Sequence, residues 1–367
     1  MKKIAIYEPE LIGNERKYLL DCIDTNWISS QGSYITKFEN KLAQYHNTKY
    51  GIATSSCTTA LHLAIKALDI GEGDEIICPN LTFIAPANMV LLSGAKLNLV
   101  DIDCETLNLD PKLLEKQINK NTKAIIVVHQ FGHAAPMDEI MTIASKHNLK
   151  VIEDNAESIG AKYKGKLLGT FGDICCFSFF GNKIITSGEG GALITNDLTL
   201  AKKCKELRDH GMDSNKKYSH IMLGYNYRMT NMQAAIGLAQ LEMLDKILEK
   251  RNKQMKVYYD ILENFEGIQL RKFKDWCEPV HWLMTLTLDK KYNRDDFLNY
   301  MKTKGVDCRQ MINPVHHAKY LIDKYDQKDF PNSVDISQRS VHLPSSSFLS
   351  KQEIIYITNQ VRNFLSK

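Results

Sequence analysis

KAIIVVHQFGHAAPMDEIMTIASKHNLKVIEDNAE, residues 123–157, decides the fold. It carries two apolar runs, KAIIVVH at 123–129 and KVIED at 150–154, and between them apolar residues return at helical spacing. Runs this continuous in Ile and Val are expected of strands covered on both faces in a parallel sheet. The same alternation extends from about residue 48 to 195, through IICP (76–79), KLNLVDID (96–103), DICCFSF (173–179) and GALITND (191–197). Leu61, Ala64, Ile65 and Leu68 mark one face of a helix, and SSC stands just before it, where caps and anion-binding turns occur. The class is α/β with a mostly parallel central sheet.

Downstream, NMQAAIGLAQLEMLDKILEKRNKQMKVYYDIL (231–262) predicts one long amphipathic helix leading into a smaller C-terminal α+β part. The expected division is 1–245 and 246–367. A chain of 367 residues, 44% hydrophobic and 25% charged, suits two such domains at about 150 residues each. The 47 basic and 43 acidic residues leave a net charge of +4 with no long single-sign block, which argues against a nucleic-acid partner. Nine cysteines without a CxxC pair or zinc-type spacing argue for reduced thiols and no metal. The N-terminus lacks a signal-peptide core, and no apolar run approaches the ~20 residues of a membrane span, so a cytoplasmic setting is expected.

Chemistry concentrates in CFSFFGNKIITSGEGGALITND (176–197), where Lys183 follows a buried strand and precedes a glycine-rich turn. A neutral lysine amine in a largely apolar site condenses with a carbonyl. Read alone, a lysine after a strand is usually a solvated surface residue, so Lys183 by itself proves little. Asp154 closes a strand, at the edge where open α/β sheets bind ligands, and its carboxylate suits a protonated pyridine nitrogen or a plain helix cap. Cys57 and Thr58 open a helix whose free N–H groups suit a phosphate, although such caps also occur where nothing binds. The conjunction of the three is what carries information.

The order SSCTTAL, PNLTFIAPAN, EDNAESIG, SFFGNKIITSGEGG, GYNYRMTNMQAAIG resembles the DegT/DnrJ/EryC1/StrS sugar aminotransferases, which have the aspartate-aminotransferase-like fold type I. The likeness runs from NERKYLLDCIDTNWISSQGSYITKFE to VHLPSSSFLSKQEI, and is greatest to members that aminate GDP-4-keto-6-deoxymannose. It implies pyridoxal 5'-phosphate as cofactor, Lys183 as its Schiff-base and proton-moving residue, and Asp154 on the pyridine nitrogen. It further implies Phe83 against the ring, Glu157 facing the 3-oxygen, and the phosphate held by Cys57, Thr58, Ser178 and Asn226. Because Asn226 serves a neighbouring subunit in relatives, a homodimer with shared sites is implied. L-glutamate is the implied donor and a keto-sugar nucleotide the acceptor, in surface polysaccharide synthesis, with Trp27, Ser29, Arg228 and His316 lining the outer pocket.

Each position also has a plainer role: Phe83 as core, Ser178 as a backbone-bonding serine, Asn226 in a turn, Glu157 in a helix first turn, His316 as structure. His133 and the wording after His316 depart from the subgroup pattern, which leaves other acceptors open, including a small phosphorylated ketone such as dihydroxyacetone phosphate. Lys183 itself speaks against the family's dehydratases, which carry histidine there. A non-catalytic cofactor-binding regulator is the competing class.

Overall fold

The structure, a computed structural model, describes residues 3–366. Two helices, α1 (Glu15–Asp24) and α2 (Ser33–Tyr45), precede strand β1 (Tyr50–Thr54) and helix α3 (Cys57–Ala67). There follow β2 (Glu75–Pro79), α4 (Ala85–Leu92), β3 (Lys96–Val100), α5 (Pro111–Gln117), β4 (Thr122–Val128), α6 (Met137–Lys146) and β5 (Lys150–Asp154). A small hairpin, β6 (Lys162–Tyr163) and β7 (Lys166–Leu167), leads to β8 (Ile174–Ser178), β9 (Gly191–Thr195) and α7 (Leu198–Arg208). Seven of these strands form one sheet in the order β1-β9-β8-β5-β4-β2-β3.

Six run in one direction and β9 opposes both its neighbours. Parallel neighbours need a crossover of a dozen or more residues, usually helical, and residues 179–190 between β8 and β9 hold no helix. The return is therefore antiparallel, a point the apolar pattern of GALITND does not encode. It brings the start of β9 to the edge where the parallel strands end. Strand residues alternate between two cores: Ile125 and Val127 pack with Phe38 and Leu42 of α2 and Ile140 of α6, while Ala124, Ile126 and Val128 pack with Leu61 and Ile65 of α3. Cover on both faces explains the unbroken apolar runs.

Beyond the sheet, α8 (Asn231–Glu242) and α9 (Leu244–Leu262) replace the single long helix expected. The helical backbone breaks at Met243 (φ −100°, ψ 0°), and apolar periodicity continues across a one-residue break without registering it. The first turns of α9 pack with the large sheet through Leu244 and Ile247, whereas Met255, Tyr258 and Leu262 join a third core. That core lies under a second sheet, β10-β12-β14-β13, and helices α10 and α12. The remaining ranges are β10 (Ile268–Leu270), β11 (Cys277–Glu278), β12 (Met284–Leu288), α10 (Arg294–Thr303), β13 (Arg309–Gln310), α11 (Pro331–Arg339), β14 (Ser340–Leu343) and α12 (Lys351–Leu365). Strand β11 pairs with β6, which carries the chain back against the large sheet just before Trp282. Among the described residues no helix is long and apolar enough to cross a membrane.

Candidate active site

Helix α3 begins at the sheet edge where β1 ends. Ser56 caps it: its hydroxyl accepts from Thr59 N (3.2 Å), while Ser56 N donates to Thr59 Oγ1 (3.1 Å). The cap uses the third N–H of the helix and leaves those of Cys57 and Thr58 without an acceptor among the described residues. Gly191 is the reason this turn sits so close to the sheet, because a Cβ there would lie 2.4 Å from Cys57 N and 2.2 Å from Ser56 C. Ser178 pairs with Gly191 across β8 and β9, which puts its side chain on the face of the sheet that the α3 turn covers. The assembly is a concave set of donors at a positive helix end, which suits a phosphate.

Asp154, buried at the end of β5, lies next to this cradle, with Cys57 Sγ 3.8 Å from its Oδ1. Burial pushes its carboxyl up to about 6, with the Glu157 charge adding to the rise, while the Ala156 N–H (3.0 Å) and the Lys183 charge oppose it. A cationic partner in this dry position would draw the carboxylate back to its ionised form. Burial likewise pushes the Cys57 thiol well up, which makes it an unreactive neighbour rather than a nucleophile.

Lys183 stands in the loop between β8 and β9, anchored by the buried Ile184 and Ile185 that follow it. The loop is closed by Phe179 N to Gly190 O and Ser187 N to Phe179 O, both 2.9 Å. Its side chain is only 13% exposed, and Nζ sits 3.5 Å from Glu157 Oε1 and 3.7 Å above the centre of the Trp282 ring. Glu157 is fixed in turn by Phe131 N–H, which donates to Oε2 at 2.8 Å from a residue in the left-handed region (φ 49°). Behind the site, the Glu153 carboxylate accepts from the N–H groups of Gly169, Phe171 and Gly172 at 2.7–2.8 Å and from His129 Nε2 at 3.0 Å. His129 Nδ1 accepts from Ala135 N–H (3.1 Å), which assigns the proton to Nε2.

The structure thus brings together Cys57, Thr58, Asp154, Glu157, Ser178 and Lys183. Phe83 is 61% exposed, so it is not a core residue. Trp27 is 55% exposed, and its carbonyl and that of Ser29 accept from Asn231 (2.7 and 2.6 Å). Arg228 is engaged with Asp209 (2.9 Å) and the exposed Asn226 (3.0 Å), beside a 200 Å³ cavity lined by Ser30, Gln31, Gly32 and Arg208. None of the cavity's lining residues belongs to the Lys183 cluster. His316 is buried, bonded through Nδ1 to Asn80 Oδ1 (3.0 Å) and stacked on Phe330, and burial holds it down to about 4, so it is neutral. His133 is buried against Phe273, held down to about 3 by burial and by the Arg271 charge.

Trp282, Tyr7 and Phe131 escape sequence reasoning. Trp282 lies in VHWLM, an unremarkable strand entry, and Tyr7, which donates its hydroxyl to Lys183 O, is 176 positions away from it. No local spacing reports such contacts. The free amides of the α3 turn, the buried Asp154 and the sheltered Lys183 amine fit pyridoxal phosphate: a place for its phosphate, a carboxylate for its ring nitrogen and an amine for its aldehyde.

The model of the DegT/DnrJ/EryC1/StrS aminotransferase family matches residues 9–362. A GDP-perosamine synthase of Escherichia coli O157:H7 is 42% identical over 366 residues, covering 100% of each chain. Another from Caulobacter vibrioides is 47% identical over 320 residues, or 86% of each. Among solved structures, DesV of S. venezuelae, determined with a ketimine intermediate, is 29% identical and superposes with a TM-score of 0.95 over 100% of both chains. A family match from end to end, on a fold that gathers those three features at one sheet edge, establishes that the chain belongs to the DegT/DnrJ/EryC1/StrS aminotransferases and is a pyridoxal-phosphate-dependent transaminase.

Proposed function

We propose that the protein moves an amino group from L-glutamate to a nucleotide-linked keto sugar of the GDP-4-keto-6-deoxymannose kind, in surface polysaccharide synthesis. The observation that carries the reading is Lys183 Nζ held 3.5 Å from Glu157 in a pocket that also contains buried Asp154 and the free α3 amides. The two full or nearly full-length GDP-perosamine synthase relatives support the choice of acceptor.

Lys183 would hold the cofactor's aldehyde, and its free Nζ would take the proton from the donor's α-carbon. When bound, pyridoxal phosphate would supply the electron sink that makes this proton loss possible. Asp154 would keep the ring nitrogen protonated, Cys57 N, Thr58 N and the Ser178 hydroxyl would hold the phosphate, and Glu157 would face the 3-oxygen. Phe83 would lie against the ring, a role its exposure supports. Trp27, Ser29, Arg228 and His316 would line the outer pocket, and Asn226 would reach the phosphate of a neighbouring subunit across a homodimer interface; the separation from Lys183 of the cavity at Arg228, which bonds Asn226, supports that sharing.

The test is a two-stage assay. With glutamate alone the protein should release 2-oxoglutarate, and in reverse, with 2-oxoglutarate, it should deaminate a GDP-linked 4-amino sugar in preference to other nucleotide amino sugars or phosphorylated amines. No half-reaction would favour a binding regulator; preference for the amine of dihydroxyacetone phosphate would replace the acceptor.

A further inference from the structure

We infer that Trp282 is a positioning residue for the reacting amine: its indole face and the Glu157 carboxylate form a berth that holds Lys183 Nζ whenever that amine is not bonded to the cofactor. This rests on the reading of Lys183 as the cofactor-bearing lysine.

The amine must leave the cofactor and return to it in every turnover, so its free state needs a defined place. Nζ is 3.7 Å from the Trp282 ring centre and 3.5 Å from Glu157 Oε1, with little solvent around it. The face of an indole attracts a cation, and does so more strongly where water is excluded. The indole is itself immobilised. Its Nε1–H donates to Asn182 O at 2.6 Å, and Phe131 lies nearly parallel to it (13°, centroids 6.0 Å apart). Phe131 also supplies the N–H that fixes Glu157. Trp282 therefore fastens the peptide just before Lys183 and receives the far end of the same side chain, while Tyr7 fastens the carbonyl just after it. Lysine carries large rotamer freedom, and a berth fixed at both ends of the side chain removes most of it before the amine returns.

The energetic consequence has a definite sign. Binding pyridoxal phosphate takes the amine off the berth, whereas binding pyridoxamine phosphate leaves it there. Loss of the berth should then strengthen the aldehyde relative to the amine. In Trp282→Leu the ratio of the two affinities should shift toward pyridoxal phosphate by about 2- to 30-fold, the range of a single cation–π contact. General damage to the pocket weakens both ligands and cancels in the ratio. Trp282→Phe keeps an aromatic face and should restore most of the wild-type ratio.

A second readout needs no cofactor. In apoprotein labelled with ¹³C at the lysine ε-carbon, the signal that disappears in Lys183→Ala should lie upfield through the indole ring current. It should return to the position of ordinary lysines in Trp282→Leu, and stay partly shifted in Trp282→Phe should the leucine variant not fold. An unshifted Lys183 signal in the wild type, or an affinity ratio unchanged in both variants, overturns the berth. Borohydride reduction of the wild-type holoenzyme separates the two levels: label on Lys183 with an unshifted signal removes the berth alone, and label elsewhere removes the reading beneath it.

Discussion

Replacing Gly191 by alanine tests the phosphate cradle with one methyl group. The new Cβ would stand 2.4 Å from Cys57 N and 2.2 Å from Ser56 C, both backbone atoms with no rotamer to yield. For the contacts to reach an ordinary 3.4 Å, the α3 turn must move off β9 by about 1.0 to 1.2 Å. A shift of that size takes a ~2.9 Å hydrogen bond past the distance at which it counts as one. Two amides, Cys57 and Thr58, would lose their grip on a phosphate together, and bonds to a charged group are worth about 1.5–3 kcal/mol each. The expected loss in pyridoxal phosphate affinity is therefore about 100-fold or more. Folding should suffer by about 1–3 kcal/mol from overpacking. Absorbance titration of the apoprotein gives the first number and urea unfolding the second. Wild-type affinity in Gly191→Ala would refute the placement of the phosphate on these amides.

Asp154→Asn should lower turnover by about 100-fold or more while changing cofactor binding far less, because it removes the charge that keeps the ring nitrogen protonated; steady-state rates against spectroscopic titration separate the two, and wild-type turnover would remove that role. In the apoprotein the Asp154 carboxyl is raised from 3.8 to about 6, so the folded state binds the proton more tightly than the unfolded one. Its contribution is fully present below pH 3.8 and lost as pH rises through 6, a slope of order 3 kcal/mol in all that Asp154→Asn should erase from apoprotein unfolding curves. Glu153→Gln should cost about 2–3 kcal/mol in urea unfolding without touching the cofactor, since either orientation of the amide turns an NH₂ toward a backbone N–H of Gly169, Phe171 or Gly172. Equal stability of that variant would mean the carboxylate's four donors are dispensable.

The parts of the fold legible in the sequence are those where burial on both faces leaves a continuous apolar run. KVIED marks β5 to the residue, and Asp154 is visible as the polar group that ends it. The α3 turn is visible because a serine cap has a chemical signature. Strand β1 is not legible in the sequence: YGIAT is short, begins half-exposed at Tyr50, and runs straight into the cap of α3. The direction of β9 was hidden because an apolar run has no polarity, and only the helix-free loop before it shows the reversal. At the site, Glu157 and Ser178 lie within a few positions of Asp154 and Lys183, yet their types alone suit a helix first turn or a backbone bond equally well, and only the family resemblance singles them out. Trp282 and Tyr7 are not legible, since contacts across a hundred positions or more arise from packing of the second sheet and the N-terminus onto the first.

Chemical trapping identifies the lysine that bears the cofactor. The holoprotein is reduced with borohydride, digested and mapped by mass spectrometry. A single pyridoxyl group is expected, on Lys183; the group on any other lysine, or none after reconstitution with pyridoxal phosphate, would show that Lys183 does not bear the cofactor.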